Sequence, residues 1–129
     1  IRYFDKDTGK FIREKFPKII NDICEAYNAS AEIDYKEGYP PTINDDEASK
    51  FALDIAKEIA GEKASNNQVP MMGSEDFSYF LQEKPGAYAW IGNGDSASLH
   101  NPSYDFNDDI LPVGASFLSR IAEKALNKN

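Results

Sequence analysis

The sequence has very little histidine or cysteine, with one of each among 129 residues. A single Cys excludes a disulfide within the chain, and one Cys with one His cannot form a zinc site by themselves. Cys24 falls on the apolar side of a predicted helix, where a thiol is expected to be a packing residue. The composition therefore excludes a self-contained, histidine-rich active site.

Basic residues are also scarce. Lys and Arg total 14 against 22 Asp and Glu, which gives a net charge of -8. Because neutralising phosphates requires a local basic surface, we expect no nucleic-acid partner. No apolar run approaches the roughly 20 residues of a membrane span, and no basic segment precedes an apolar core as in a signal peptide. These features predict a cytoplasmic chain without membrane association.

The start of the chain is apolar. It begins with Ile1 in a stretch that contains Tyr3 and Phe4, without an initial Met or a polar lead. A chain of this length fits one domain of ordinary size or parts of two. We therefore expect a segment of a longer protein.

Apolar periodicity predicts several helices. Residues 12–27 repeat at helical spacing, although Pro17 is expected to kink this helix or mark its start. Asn44 is the predicted N-cap of a helix that ends at Gly61, with Glu47 completing a capping box. Ser74 is the predicted cap of a short helix up to Lys84, and a last helix is predicted from about residue 112 to 128.

Three segments are predicted to be strands: residues 1–7, residues 31–36 and residues 87–91. Residues 31–36 alternate apolar and polar side chains, whereas residues 87–91 are apolar on both faces, as in a doubly covered strand. The strongest break in the pattern is at Gly38–Thr42, because Pro40 and Pro41 continue neither a helix nor a central strand. We therefore place a domain boundary there.

His100 is the first candidate site residue. It lies beyond a predicted buried strand, and Asp105, Asp108 and Asp109 follow it. Strand ends often present ligands to a crevice, so a neutral imidazole there is a candidate metal ligand. The alternative is a surface loop histidine, since one His cannot satisfy a metal ion.

Gly73, Ser74 and Glu75 form the second candidate site. A glycine ahead of a helix start lets backbone N–H groups face an anion such as a substrate carboxylate. The alternative is an ordinary helix start, at which Glu75 and Asp76 complement the helix dipole.

Five short motifs occur in register along the chain, at residues 37–44, 72–77, 85–87, 99–102 and 105–108. Together they strongly resemble the C-terminal part of the metal-dependent amidohydrolase family. That family includes hippurate hydrolase, N-acyl-amino-acid amidohydrolases and auxin-conjugate hydrolases, and it is related to carboxypeptidases and aminoacylases with a two-metal site. The resemblance covers essentially the whole chain.

The resemblance implies an α/β fold. Residues 1–40 would be the last strand, helix and strand of a ferredoxin-like lid domain that dimerises. Residues 41–129 would be the C-terminal part of an α/β catalytic domain of the metallopeptidase type.

The resemblance also implies roles for residues. His100 matches the last ligand of a site for two divalent ions, which would be zinc, manganese, cobalt or nickel. Gly73 and Ser74 match a loop beside the substrate pocket, with Glu75 close to the metal site. The full enzyme would hydrolyse the amide bond of N-acyl amino acids or small peptides, as a homodimer joined through its lid. This chain alone would carry no catalytic residue, bind no metal and be inactive.

A different class of function stays open. The chain is alternatively a metal-free association or dimerisation domain, in which the edge of a strand at residues 1–4 pairs with another copy.

Overall fold

The computed structural model describes residues 1–127, and over that range the regular structure is helical. The four α-helices are α1 (Lys6–Ala26), α2 (Asp46–Ala60), α3 (Phe77–Glu83) and α4 (Leu111–Leu126). Short 3-10 turns follow α2 at Gly61–Lys63 and precede α4 at Asp108–Ile110. The four predicted helices are thus present, although the predicted end of the last one at Lys128 lies outside the described residues.

The predicted α/β fold is wrong, because residues 1–127 contain no β-strand. The segments 31–36 and 87–91 have the side-chain pattern of strands but no regular secondary structure. A strand requires a neighbouring backbone that exchanges hydrogen bonds with it, and side-chain alternation alone does not supply one. The predicted lid remnant of strand, helix and strand is accordingly reduced to the helix α1.

At residue 88, a side chain makes the two backbone hydrogen bonds that a neighbouring strand would otherwise make. The Asn44 amide accepts a hydrogen bond from the Tyr88 N–H at 2.8 Å and donates to the Tyr88 carbonyl at 3.0 Å. Next to it, the Asp45 N–H donates to the Gly86 carbonyl at 2.9 Å. Asn44 is therefore not the helix cap that was predicted. Asp45 caps α2 instead, by accepting from the Ala48 N–H at 2.8 Å.

Helix α1 is continuous through Pro17 and starts well before it. Its N-cap is Asp5, which accepts hydrogen bonds from the Thr8 N–H at 2.8 Å and the Thr8 hydroxyl at 2.7 Å. The bond from the Thr8 N–H is also the main reason why the pKa of Asp5 is lowered. At the other end, Asn28 is left-handed with φ 53°, and N–H groups of residues 28 and 29 bond back to Glu25 and Cys24. This Schellman ending stops the helix.

The described chain divides into two compact units. The first comprises residues 1–43 and 69–84, and the second comprises residues 44–68 and the chain from residue 85 onward. The predicted domains, residues 1–40 and 41–129, concern a longer protein and stay a prediction.

Aromatic rings hold the first unit together, with an ion pair between Arg13 and Glu37 at 2.7 Å. The rings of Phe16 and Tyr35 lie 5.8 Å apart, and those of Tyr39 and Tyr79 meet edge to face at 5.9 Å. The Tyr3 ring covers Gly9 so closely that an added Cβ would lie 2.4 Å from it. A larger residue at position 9 would therefore displace that ring.

The second unit is built on the packing of α2 against α4. Ile55 of α2 is fully buried and is the one large apolar side chain in residues 1–127 that is. At the edge of this contact, Glu58 bonds to Arg120 at 3.2 Å and also to Lys124. These two cations lower the pKa of Glu58, with the hydrogen bond from Lys124 as the largest cause.

Within the described part of the chain, no helix is long and apolar enough to cross a membrane.

Glu58→Gln is expected to lower the Tm of the chain slightly at pH 7, because it removes both charged hydrogen bonds. A carboxylate whose folded pKa is lowered stabilises the fold above its usual pKa of 4.5, and this contribution is lost as the pH falls through the lowered value. The difference from wild type should therefore shrink below pH 4.5 in thermal melts. Glu62→Gln is the matched control, and an equal loss in that variant would contradict the role of the Glu58 cluster.

Candidate functional site

Three separate stretches of the first unit enclose a small cavity. Residues 2–4, 39–42 and 70–74 line it, and its volume is about 130 Å³. Pro40, Pro41 and Pro70 contribute three of these positions, and their fixed φ angles limit how far the walls can move. Two predicted substrate-binding residues, Gly73 and Ser74, lie in the wall. Sequence reasoning thus located one side of this cavity.

Arg2 is the cavity residue that sequence reasoning missed. The other two arginines are in ion pairs, Arg13 with Glu37 at 2.7 Å and Arg120 with Glu58 and Glu123. No carboxylate among the described residues pairs with Arg2. A guanidinium beside exposed backbone at Gly73 is a binding group for a carboxylate or another anion. The one sequence feature that indicates a role for Arg2 is its position as a single cation in the apolar stretch of residues 1–4.

Glu75, the third predicted substrate-binding residue, is not part of the cavity lining. Its carboxylate accepts a hydrogen bond from the Phe77 N–H at 3.4 Å, and its carbonyl accepts from the Ser78 N–H at 3.2 Å. The half-buried Glu75 side chain thus contributes to the start of α3. The predicted cap, Ser74, makes no such bond, since α3 has Asp76 at the N-cap position without a side-chain cap.

His100 lies in the second unit, exposed on a loop. Its φ is 64°, a left-handed conformation that is uncommon for residues other than glycine. Two consecutive turns enforce it: the Asn101 N–H donates to the Ser98 carbonyl at 3.1 Å, and the Tyr104 N–H donates to the Asn101 carbonyl at 2.9 Å. The Asn101 side chain adds a bond from the Ser103 N–H at 2.8 Å. His100 is therefore held at a defined backbone position.

The acidic segment after His100 is ordered by asparagines. The Asn93 amide donates to the Asp105 carbonyl at 2.7 Å and accepts from the Asn107 N–H at 2.8 Å. Asn107 in turn accepts from the Asp109 N–H at 3.0 Å, ahead of α4. These hydrogen bonds hold the backbone of the acidic segment. Asp105, Asp108 and Asp109 belong to the lining of a shallow cavity, which consists of residues 93, 95, 96 and 105–109.

The described residues do not make a metal site by themselves. Nowhere in residues 1–127 does a group of three or more His, Cys, Asp or Glu side chains have an arrangement that would hold a metal ion. Cys24 is a half-buried free thiol on α1 in the first unit, whereas His100 belongs to the second unit. One imidazole offers a single bond where zinc requires four.

Comparison with known sequences gives a consistent result. Residues 5–124 match the sequence profile of the peptidase family M20/M25/M40. A hippurate hydrolase from Campylobacter jejuni is 41% identical over 127 residues, which cover 98% of this chain and 33% of that protein.

Two further relatives come from a plant and an archaeon. The IAA-amino acid hydrolase ILR1-like 2 of Arabidopsis thaliana is 30% identical over 91% of this chain and 28% of its own length. Thermostable carboxypeptidase 1 of Saccharolobus solfataricus is 29% identical over 99% of this chain and 33% of its own length. The chain thus spans about a third of the length of these relatives.

Proposed function

The chain belongs to the peptidase family M20/M25/M40, and from this membership we propose that it is part of a metal-dependent hydrolase of N-acyl amino acids or small peptides. The observation that carries the proposal is the match over residues 5–124 together with the identity to a hippurate hydrolase. The relatives are named for the hydrolysis of a bond to an amino acid, and hippurate is itself an N-acyl amino acid.

The cavity of the first unit suits one end of such a substrate. N-acyl amino acids carry a free carboxylate, and Arg2 supplies a cation without a protein partner among the described residues. Backbone N–H groups near Gly73 and Ser74 would add hydrogen bonds to the same group. We assign carboxylate binding to these three residues, and Glu75 a supporting position at the start of α3.

The family is generally metal-dependent. Because the described residues do not fit a metal ion alone, we propose His100 as one ligand of an ion whose other ligands come from polypeptide outside residues 1–127. Zinc, manganese, cobalt and nickel all accept imidazole nitrogen. We expect the chain alone to be inactive and to bind no such ion tightly.

We also propose a cytoplasmic location and self-association through residues 1–40. Phe11, Ile19 and Ile23 support the second point: they lie on α1 at multiples of four residues and are exposed, Phe11 by 59%, as is Tyr27 at the C-cap. An exposed apolar row of this kind is typical of an interaction surface. The same row would serve the alternative function, a metal-free association domain, which the two experiments below distinguish from a hydrolase part.

Zinc or manganese titration of the chain should show at best weak binding at one site, since His100 offers a single nitrogen. His100→Ala should abolish that binding, whereas Cys24→Ser should leave it unchanged. Isothermal titration calorimetry measures both. Tight binding of two ions, or binding that survives in the His100 variant, would contradict the proposed role.

N-benzoylglycine should bind the chain weakly and shift the amide resonances of Gly73 and Ser74 in NMR spectra. Arg2→Met should weaken this binding by roughly ten- to a hundredfold, because a hydrogen bond to a charged group contributes roughly 1.5–3 kcal/mol. Lys10→Met, which removes a cation elsewhere in the same unit, is the control. Equal affinities in the two variants would refute carboxylate binding by Arg2.

A further inference from the structure

The loop of residues 93–107 carries His100 at its middle, and Asn93 joins its two ends. The Asn93 side chain donates to the Asp105 carbonyl at 2.7 Å and accepts from the Asn107 N–H at 2.8 Å. The Asn107 side chain donates in return to the Asn93 carbonyl at 3.4 Å. A loop of this length whose ends lie together is an Ω-loop, a form that often carries functional residues.

Both ends of the loop lie next to helix α4. Ahead of the loop, the Ile91 side chain is so close to α4 that a Cβ added to Gly114 would lie 3.4 Å from it. At the other end, the Asn107 carbonyl accepts from the Ile110 N–H at 3.1 Å, in the 3-10 turn that precedes α4. The hydrogen bonds of Asn93 therefore attach the loop to a regular helix, which is a firmer support than a loop alone.

The backbone of His100 needs the support of the loop around it. Its φ of 64° is left-handed, a conformation that a histidine keeps only where neighbouring contacts enforce it. The turns at residues 98–101 and 101–104 are each closed by one backbone hydrogen bond, and a single bond stabilises a turn only modestly. Asn93 adds to their stability, because a loop whose ends are joined loses less conformational entropy when its turns form.

We propose that Asn93 is a positioning residue for His100: by joining the ends of the loop, it holds the His100 backbone, and with it the origin of the imidazole side chain, in one place. The importance of this for hydrolysis rests on the proposed role of His100 as a ligand. A side chain that has to meet groups from other parts of a polypeptide binds best when it is held in place beforehand.

Two variants separate the functions of the Asn93 amide. Asn93→Ala removes all of its hydrogen bonds. Asn93→Asp keeps the acceptor for the Asn107 N–H. It replaces the donor to the Asp105 carbonyl, which also donates to the Ser96 hydroxyl at 2.8 Å, by an oxygen. Asn67→Asp, the same chemical change at an exposed residue of the second unit, is the matched control.

NMR spectra of the metal-free chain provide two local measurements. Hydrogen exchange is measured at the Asn101 and Tyr104 N–H groups, which close the two turns, and the coupling between the amide and α protons of His100 reports its φ. We expect exchange at both groups to be about tenfold faster in Asn93→Ala and intermediate in Asn93→Asp, because each lost bond lowers the stability of the closed loop by a small factor. The His100 coupling should approach the value of a flexible residue in the same order, and Asn67→Asp should match wild type.

Wild-type exchange and coupling in Asn93→Ala would overturn the proposal. An equal rise in exchange throughout α2 in Asn93→Asp, which keeps the size of the side chain, would overturn it as well, because the whole unit would then be affected and not the loop. Since no metal is present, neither result depends on whether His100 is a ligand, which the zinc titration decides separately.

Discussion

The packing of α2 against α4 is the contact on which the second unit depends, because α2 carries Ile55, the one large apolar side chain fully buried in residues 1–127. Glu58 joins the two helices by bonding to Arg120 and Lys124. At the start of α2, Asn44 and Asp45 hold the backbone at Tyr88 and Gly86. These polar contacts contribute modestly and add to the apolar packing between the two helices.

The helices were predictable from the sequence because apolar spacing reports directly on a helix face. The residues at which the helices begin were predicted less well than the helices themselves. Pro17 does not delimit α1, since the Asp5 cap starts the helix upstream, and the cap of α2 is one residue beyond the predicted Asn44. The strand predictions were wrong for a different reason. Alternation describes the side chains of a segment, whereas a strand depends on a neighbouring backbone, which no pattern within residues 87–91 reveals.

The candidate site was predictable only in part, because motifs report on residues that are close together along the chain. They identified Gly73, Ser74 and His100, whereas spatial neighbours that are distant in sequence were missed. Arg2 reaches the Gly73 cavity from the start of the chain, and Asn93 organises the acidic segment twelve residues later. Gly73 and His100 lie in different units.

Hydrolysis of N-benzoylglycine distinguishes part of an N-acyl amino acid hydrolase from an association domain. Glycine release is measured, in the presence of zinc or manganese, for the isolated chain and for the chimera in which it replaces the matched segment of the Campylobacter jejuni hippurate hydrolase. We expect turnover by the chimera and none by the chain alone. Turnover by the isolated chain, or a folded chimera that does not release glycine, would contradict the proposed function.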